Sequence, residues 1–414
     1  MEKIRFGIIG LGNQGCNYLF KNFEEGKIEN GVVTAVCDVN PVKIENVKER
    51  TTNKDLVYFD DYKKMLDSGL VDAVLVETPH YQHPEIVIEC LNRGINVISD
   101  KPAGVYTKQV REMNEVASKS KAKFAVLFNQ RTNCVYRKMK EIIADGGIGE
   151  IQRVTWIITD WFRTQQYYDS GSWRATWAGE GGGVLINQCP HQIDLLQWVV
   201  GKMPVKVNAF CHYGKWHDIE VEDDVTAYFE YDNGATGVFI TTTGEAPGTN
   251  RFEVSGTKGK LLCEGGKLFL RKNTQDSREF CNDPANTFGG GKLLGEMVEV
   301  ETDGQNTGHV GIISNFANAL LGLEDFFVDG KEGIRGVELM NAIELSGWKG
   351  GAPVTIPVNE DEYLEELNKR RATSRLKVVD DSTVADTSGT FGSGNGANSE
   401  ICNYRHGRHR WRPC

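Results

Sequence analysis

Two short segments of the sequence carry side chains that could act on a hydroxyl group. The first is Ser99-Asp100-Lys101-Pro102, which follows an apolar run. A proline favours an extended backbone in the residue before it, so we expect the strand to end there with Lys101 projecting from its carboxyl end. An ammonium in that position could stabilise an alkoxide or share its proton. The alternative is a solvated lysine at the end of a strand.

The second segment places Asn187, His191 and Asp194 at the spacing of one helix face. Pro190 lacks an N–H and is tolerated only in a first turn, so the helix is expected to begin near Asn187. An imidazole with an ordinary pKa of about 6.5 can accept a hydroxyl proton near neutral pH. The competing interpretation is a packing histidine that is hydrogen-bonded to Asn187 or Asp194.

No metal site is predicted. His191 with Asp194 would supply two ligands, and no Cys/His cluster supplies the rest. The ten cysteines are scattered without a Cys-x-x-Cys pair, which is typical of reduced residues in a cytosolic protein. We therefore expect a cytoplasmic protein without a metal centre.

An aromatic and basic stretch lies between the two segments and includes Arg163, Tyr167, Trp173 and Arg174. Aromatic faces stack on the C–H faces of sugars, and arginine and tyrosine side chains can hold sugar hydroxyls. The alternative is that these residues pack against a sheet, which we expect for Trp156 and several others.

The beginning of the chain indicates a dinucleotide site. An apolar run ends in Gly10-x-Gly12-x-x-Gly15, and these glycines suit a tight turn, a close approach to a pyrophosphate and close helix packing. A second apolar run ends in Asp38, 23 residues past Gly15. Because a carboxylate there accepts hydrogen bonds from a ribose and repels a 2′-phosphate, NAD is expected rather than NADP. The alternative is a glycine-rich turn that binds nothing.

The surrounding pattern predicts two domains. Residues 1–125 alternate five strand-like runs with helical segments, which favours a parallel α/β sheet. Ligands in such sheets bind at the carboxyl ends of the strands, so Thr78, Asp100, Lys101 and Asn129 are expected to line one crevice.

Residues 126–358 read as an α+β domain with an antiparallel meander, including a hairpin turn at Asp232-Asn233-Gly234. Residues 359–414 read as a C-terminal extension, disordered from about 380 because Ser, Thr, Gly, Asn and Asp dominate there. The basic end, residues 404–414, is interpreted as an added or frame-shifted extension rather than a nucleic-acid or membrane tail.

Composition excludes several classes of protein. The net charge of −10 argues against a nucleic-acid partner. No apolar stretch approaches the ~18 residues of a membrane span, and the N-terminus runs directly into the first strand without room for a signal peptide.

Four motifs in order resemble the glucose–fructose oxidoreductase / inositol dehydrogenase (Gfo/Idh/MocA) family over residues 3–355. They are Gly10-x-Gly12-x-x-Gly15, Thr78-Pro79-(x)3-His83, Asp100-Lys101-Pro102 and Gly181-Gly-Gly-(x)3-Asn187-(x)3-His191-(x)2-Asp194. Two positions depart from the family pattern: Asp100 stands where glutamate is usual, and Asn187 stands where inositol dehydrogenase-like members often carry aspartate.

The resemblance implies an N-terminal Rossmann domain and a C-terminal domain with a large, mostly antiparallel open sheet, often used for oligomer contacts. It also implies nicotinamide-dependent oxidation or reduction of a sugar or polyol hydroxyl, with Lys101 catalytic and His191 as acid/base. The expected cofactor-binding residues are Gly10, Gly12, Asn13, Gln14, Gly15, Asp38, Thr78, His83, Asp100, Lys101 and Asn129. The expected substrate-binding residues are Lys101, Arg131, Arg163, Tyr167, Trp173, Arg174, Asn187 and His191.

The resulting hypothesis is an NAD-dependent, homo-oligomeric dehydrogenase that oxidises a ring hydroxyl of a sugar, cyclitol or glycoside. One alternative is a redox-neutral glycosidase or lyase, in which transient oxidation acidifies the neighbouring carbon and allows elimination. Another is a non-catalytic dinucleotide sensor, which would have no need of Lys101 or His191.

Overall fold

A parallel sheet forms the core of the N-terminal domain. The computed structural model describes residues 3–375 and 377. The strands of this sheet are β1 (Ile4–Ile9), β2 (Gly31–Cys37), β3 (Val57–Phe59), β4 (Ala73–Val76), β5 (Asn96–Ser99) and β6 (Phe124–Val126). They are all parallel and lie in the order β3-β2-β1-β4-β5-β6. This doubly wound order confirms the predicted Rossmann domain.

Helices cover both faces of this sheet. They are α1 (Asn13–Asn17), which continues in wider turns through Tyr18–Glu24, α2 (Pro41–Arg50), α3 (Tyr62–Asp67), α4 (Gln82–Asn92) and α5 (Thr107–Lys119). All four residues of β4 are buried, as a central parallel strand requires. Because the strand order reverses between β1 and β4, the carboxyl ends of β1, β4 and β5 open onto one crevice.

The second domain is built on a nine-stranded sheet. Its strands are β7 (Ile151–Ile158), β8 (Lys206–Tyr213), β9 (Glu222–Glu230), β10 (Thr236–Thr242), β11 (Asn250–Gly256), β12 (Gly259–Glu264), β13 (Lys267–Asn273), β14 (Leu294–Glu299) and β15 (Val354–Thr355). The order is β14-β13-β12-β11-β7-β10-β9-β8-β15, and β7 with β10 is the parallel pair. The predicted large, mostly antiparallel open sheet is therefore confirmed.

Helices of the second domain pack against its sheet, against one another and against the Rossmann domain. They are α6 (Cys134–Ala144), α7 (Gln165–Asp169), α8 (Pro190–Val200), α9 (Ser277–Asn282), α10 (Gly308–Leu320), α11 (Gly333–Trp348) and α12 (Glu360–Ala372). α11 packs against α8 and β8 and also against α5. The opposite face carries exposed Phe210 and Tyr228. Strand residues alternate between the two faces, so this face presents a row of side chains that no helix within residues 3–375 covers.

The folded body continues past the expected end of the second domain. α12 lies within the part of the chain assigned to an extension from residue 359, yet it packs against α5 and α11. Lys108 pairs with Asp361 at 2.8 Å, and Tyr363 is buried with its hydroxyl 2.6 Å from Glu344. The extension prediction was wrong for α12 because only two of its residues are buried, which leaves little hydrophobic periodicity. The predicted disordered region from about 380 and the basic end lie outside the described residues.

Three residues beyond α12 attach the chain to the segment that precedes α8 and to the connection between β8 and β9. Ser374 accepts a hydrogen bond from the Ala178 amide, and Arg375 pairs with Asp218 at 2.6 Å. The Lys377 ammonium donates to the carbonyls of Tyr168 and Arg174, at 3.2 and 3.1 Å. Within residues 3–375 and 377, no helix has the length and apolar character of a membrane span.

Candidate active site

A cleft of about 1780 Å³ lies between the two domains, at the carboxyl ends of the parallel strands. It is lined by the β1–α1 turn, the residues after β4 and β5, and the segment that leads into α8. The predicted site residues that line it are Gly10, Gly12, Asn13, Gln14, Asp38, Thr78, His83, Asp100, Lys101, Arg163, Tyr167, Trp173, Arg174, Asn187 and His191. The fold thus brings most of the predicted residues to one place.

The three glycines of the β1–α1 turn have the geometry that a dinucleotide site requires. Gly10 has φ +98°, and a Cβ there would lie 2.4 Å from the Glu77 carbonyl oxygen. A Cβ on Gly15 would lie 2.0 Å from the Gly10 oxygen, so Gly15 serves close packing and does not line the cleft. A Cβ on Gly12 would meet nothing within 4 Å, which leaves open space beside the backbone for a pyrophosphate.

Asp38 holds the loops at the adenosine end of the cleft. Its buried carboxylate accepts hydrogen bonds from the Leu11 amide and the Asn40 amide, both at 2.8 Å. The Lys43 ammonium lies 3.6 Å away. The carboxylate is therefore fixed by two backbone donors, and its negative charge disfavours a 2′-phosphate at this position.

His83 joins two of the loops that line the cleft. Its ring nitrogens lie 2.8 Å from the Pro102 carbonyl oxygen and 2.7 Å from the Thr78 carbonyl oxygen. Burial lowers the pKa of His83, while the two carbonyls and the charge of Asp100 oppose that shift. Its contacts therefore position the Lys101–Pro102 turn, whose peptide bond is cis.

Buried polar atoms without a protein partner remain beside this turn. Among the described residues, the Thr78 hydroxyl and both Glu77 carboxyl oxygens have none. Burial and the nearby charge of Asp100 raise the pKa of Glu77 well above its usual range, so this carboxyl favours its protonated form. Orphaned groups on the wall of a cleft fit a site that a polar cofactor completes.

Lys101 reaches from the Rossmann domain to the second domain. Its Nζ donates to the Asn187 carbonyl oxygen at 2.9 Å, and its backbone amide donates to Asp100 at 2.8 Å. One ammonium hydrogen bond is thus fixed by the protein, while two further donor positions remain on the nitrogen. The side chain lines the cleft, as the sequence predicts.

His191 lies in the first turn of α8 and is partly buried. Within the described part of the chain its Nδ1 has no hydrogen-bond partner, so His191 does not make the packing contact with Asn187 or Asp194 considered above. Burial lowers the pKa of His191 well below its usual value, and the nearby charges of Lys101 and His309 lower it further. The imidazole is therefore neutral at pH 7 and can accept a proton.

Asp194 and Arg131 belong to the core and not to the cleft. α8 begins at Pro190 rather than near Asn187, and Asp194 accepts from Arg131 Nε at 2.8 Å and Nη2 at 2.7 Å. Arg131 also pairs with Glu332 and is 2 % exposed. The expected substrate contact of Arg131 is thus not supported, because its guanidinium neutralises two carboxylates.

Asn129 also departs from expectation. It follows β6 at the start of a single helical turn and is buried away from the cleft lining. Its Oδ1 has no partner among the described residues. The geometry therefore gives no direct support for a cofactor contact.

A hydrogen-bonded chain connects the aromatic segment to Asn187. The Tyr167 hydroxyl accepts from Arg174 Nη1 at 2.7 Å and from Gln188 at 3.2 Å, and it donates to Asn187 Oδ1 at 3.3 Å. The Asn187 amide in turn donates to the buried Glu180 carboxyl. Trp156 packs in the sheet, as expected: its ring stacks on that of Phe252, with the ring centroids 4.2 Å apart.

The glycine segment before Asn187 is held by a buried carboxyl pair. Glu222 accepts from the Gly183 amide at 2.8 Å and the Leu185 amide at 3.0 Å. The Glu344 carboxyl lies beside it and accepts from the Tyr363 hydroxyl. Burial raises the pKa of Glu222 to about 7, and burial together with the charge of Glu222 raises that of Glu344.

His309 is a cleft residue that the sequence analysis did not identify. It lies in the first turn of α10, lines the cleft and packs edge-on to Tyr18 with ring centroids 5.6 Å apart. Burial lowers its pKa, which Asp100 opposes and Lys101 reinforces. No motif surrounds His309 in the sequence, so only the fold reveals its proximity to Lys101.

Comparison with known proteins agrees with this architecture. The family described as an oxidoreductase family with an NAD-binding Rossmann fold matches residues 4–128, and the GFO/IDH/MocA C-terminal domain matches residues 136–262. The chain is similar to the rhizopine catabolism protein MocA of Rhizobium meliloti, with 25% identity over 204 residues that cover 49% of this chain and 59% of that protein. It is also similar to myo-inositol 2-dehydrogenase of Thermotoga maritima, with 26% identity over 63% of this chain and 75% of that protein.

A solved structure extends the similarity to both domains. The WlbA dehydrogenase from Bordetella pertussis, in complex with NADH and UDP-GlcNAcA, is 27% identical and has a TM-score of 0.71. The comparison covers 86% of this chain and 100% of that chain. The order of the parallel strands, the glycine turn and the matched domains lead to one conclusion: the chain belongs to the Gfo/Idh/MocA family of oxidoreductases and carries its NAD-binding Rossmann fold.

Proposed function

We propose that the protein is an NAD-dependent dehydrogenase that oxidises a ring secondary hydroxyl of a sugar, cyclitol or glycoside. The observation that carries this proposal is that one cleft holds both Lys101 and a neutral His191, whose Nδ1 has no partner among the described residues. Alcohol oxidation requires a general base that takes the hydroxyl proton, and an ammonium donor can stabilise the alkoxide that forms.

The residues of the β1–α1 turn, with Asp38 and Thr78, would hold the cofactor. The open space at Gly12, the orphaned Thr78 hydroxyl and the fixed Asp38 carboxylate all fit a dinucleotide. When bound, NAD supplies the acceptor for the hydride.

The protein's own residues manage the proton. His191 takes the hydroxyl proton, because its imidazole is neutral in the range where it must act. Lys101, held by the Asn187 carbonyl, stabilises the developing alkoxide. Asn187 is a neutral amide between Tyr167 and Glu180, so it can orient a substrate hydroxyl without supplying charge.

The relatives support a carbohydrate-type substrate. Their names include an inositol dehydrogenase, a 1,5-anhydro-D-fructose reductase and a levoglucosan dehydrogenase. Trp173 and Tyr167 line the cleft beside Lys101 and offer aromatic faces for a sugar ring. We also propose that the protein forms homo-oligomers through the uncovered face of the nine-stranded sheet, and that it acts in the cytoplasm.

The test is NADH formation from NAD with a panel of free sugars, cyclitols and glycosides. Lys101→Met and His191→Asn should each lower kcat/KM by about 10²–10⁴-fold, while NADH binding stays close to wild type. Lys202→Met is the matched control, because the Lys202 ammonium forms an exposed ion pair with Asp232.

The outcomes separate the alternatives. Full activity in both variants would overturn the assigned roles. No turnover of any substrate by the wild type, with cofactor retained through purification, would favour a redox-neutral reaction through a transient keto sugar. Absence of any reaction on glycosides as well would favour a dinucleotide sensor.

A further inference from the structure

Two arginines in the cleft lack the counter-charge that buried arginines normally have. Arg163 is 9 % exposed, and its guanidinium carbon lies 5.2 Å from the centre of the Tyr167 ring. That of Arg174 lies 4.5 Å from the same ring. Among the described residues, neither guanidinium has a carboxylate oxygen within 4.0 Å. Buried charge without a partner is unfavourable, which makes this arrangement informative.

Both arginines use the same part of the guanidinium for protein contacts. Arg163 donates from Nη1 to the carbonyls of Phe162 and Trp161, at 3.0 and 3.5 Å. Arg174 donates from Nη1 to the Tyr167 hydroxyl. The Nε of each is buried and has no partner in the part of the chain that the structure describes. The Nε–Nη2 edge, which binds carboxylates through two parallel bonds, is therefore left over in both.

Arg131 shows how this protein satisfies that edge in its core. Its Nε and Nη2 hold the two carboxyl oxygens of Asp194 at 2.8 and 2.7 Å. Arg131 is buried in the protein interior, whereas Arg163 and Arg174 line the cleft. The missing carboxylate of the cleft arginines can thus be supplied by a molecule that enters the cleft.

The nearest acidic side chains are already committed to other partners. Glu180 accepts from the Ala175 amide at 2.5 Å and from the Asn187 side chain, and burial raises its pKa despite the charges of Arg174 and Lys101. Asp160 is hydrogen-bonded to Asn250, and burial raises its pKa as well. Lys101 adds a third positive charge to the cleft, where Asp100 accepts from the Lys101 backbone amide and forms no ion pair with either arginine among the described residues.

We propose that the substrate of this site is an acidic sugar, a hexuronate or its glycoside, whose carboxylate binds Arg163 and Arg174. The proposal rests on the proposed function, since it names the substrate class of the same site. A planar carboxylate matches the planar Nε–Nη2 edge with two hydrogen bonds at once. Sugar phosphates share the negative charge and are distinguished by the experiment.

The experiment measures binding by titration calorimetry to protein saturated with NADH. The probes are methyl glycosides of glucuronate, galacturonate and mannuronate, the corresponding uronamides, and the 6-phosphates of the parent hexoses. The wild type should bind at least one uronate about tenfold or more tightly than its uronamide. Arg174→Gln and Arg163→Gln should abolish this preference and leave NADH affinity within about twofold.

Control variants are titrated with the same ligands. Arg137→Gln, at an exposed pair with Asp303, should keep the preference. Arg174→Lys, which keeps the charge and loses the fork, should keep only part of it. If Arg163→Gln lowers the unfolding temperature, Arg174→Gln decides the result.

Equal binding of acid and amide, or tighter binding of the hexose phosphates, would overturn the proposal. Neutral sugars that are oxidised with equal binding of acid and amide would refute the acidic substrate and leave the dehydrogenase standing. A clear preference for a uronate without NADH formation from it would support binding of an acidic sugar and refute the dehydrogenase.

Discussion

His191 is placed to act as a base over an unusually wide range of pH. Its pKa lies well below 6.5 because of burial and the charges of Lys101 and His309. A lowered pKa keeps the imidazole neutral, so kcat/KM for oxidation should stay level down to pH 6.5 and fall only in more acidic solution.

The pH profile of kcat/KM between pH 5 and 9 checks this prediction. His309→Asn removes one of the groups that lower the pKa of His191, so its acidic limb should move to higher pH. An acidic limb centred at or above pH 6.5 in the wild type would show that the environment of His191 does not depress its pKa.

We expect Asp38 to determine whether the protein uses NAD or NADP. Asp38→Asn retains an oxygen that can accept from the Leu11 amide but removes the charge that repels a 2′-phosphate. We expect the ratio of kcat/KM for NADP to that for NAD to rise about ten- to hundredfold. Asp55→Asn, at an exposed position, serves as the control. An unchanged ratio would remove Asp38 from cofactor selection.

The buried pair of Glu222 on β9 and Glu344 on α11 links the glycine segment to α12, because Glu222 accepts from the Gly183 amide and Glu344 accepts from Tyr363. The pKa of Glu222 is raised to about 7 and that of Glu344 is raised well above its usual range, so the folded state favours protonation of the pair. A carboxyl whose pKa is raised on folding stabilises the protein below its unfolded pKa and loses that contribution as pH rises.

The free energy of unfolding should therefore fall between pH 5 and pH 8, by an amount on the order of 2 kcal/mol. Glu344→Gln can still accept from Tyr363 and should flatten this dependence. Urea denaturation at several pH values measures it, with exposed Glu365→Gln as the control. The same slope in wild type and Glu344→Gln would mean that the pair does not titrate in this range.

The elements with strong periodicity could be predicted from the sequence. The sequence from Gly333 to Trp348 predicts a helix, which matches α11 residue for residue. The sequence from Lys206 to Tyr213 predicts a strand, which matches β8. The short edge strands β3, β14 and β15 were not predicted, because a few residues at a sheet edge carry little alternation.

The motifs predicted most of the residues that line the cleft, whereas the contacts between those residues could not be predicted from the sequence. The contact of Lys101 with Asn187 joins residues 86 positions apart, and it follows from the packing of two domains. The positions of His309 and Arg131 also depend on contacts between distant elements. His309 lines the cleft, whereas Arg131 lies outside it. Helix spacing alone placed Asp194 beside His191, whereas Asp194 is committed to Arg131.

We propose the face of the second sheet that carries Phe210 and Tyr228 as the surface for self-association. Phe210 is 60% exposed and Tyr228 is 39% exposed on this face. Val238 lies opposite Tyr228 in the sheet and Ile240 opposite Thr226, which continues the row across β10. Exposed apolar rows of this kind favour burial against a second copy.

Light scattering after size exclusion should show an oligomer for the wild type and a monomer for the double variant Phe210→Lys and Tyr228→Lys. Lys202→Glu lies at an exposed ion pair outside this face and should leave the assembly intact. A monomeric wild type at micromolar concentration would contradict the proposed role of the sheet.

The contacts of Ser374, Arg375 and Lys377 matter for protein engineering. The loop that carries Tyr167 and Arg174 is anchored through its backbone carbonyls to Lys377, more than two hundred positions later. We therefore expect that substrate preference cannot be transferred with the loop alone. Transplanting the loop into a relative would transfer its side chains but not the contacts with Lys377 that hold its backbone. A chimera that includes both the loop and the segment from α12 through Lys377 should inherit the preference, whereas a loop-only chimera should not.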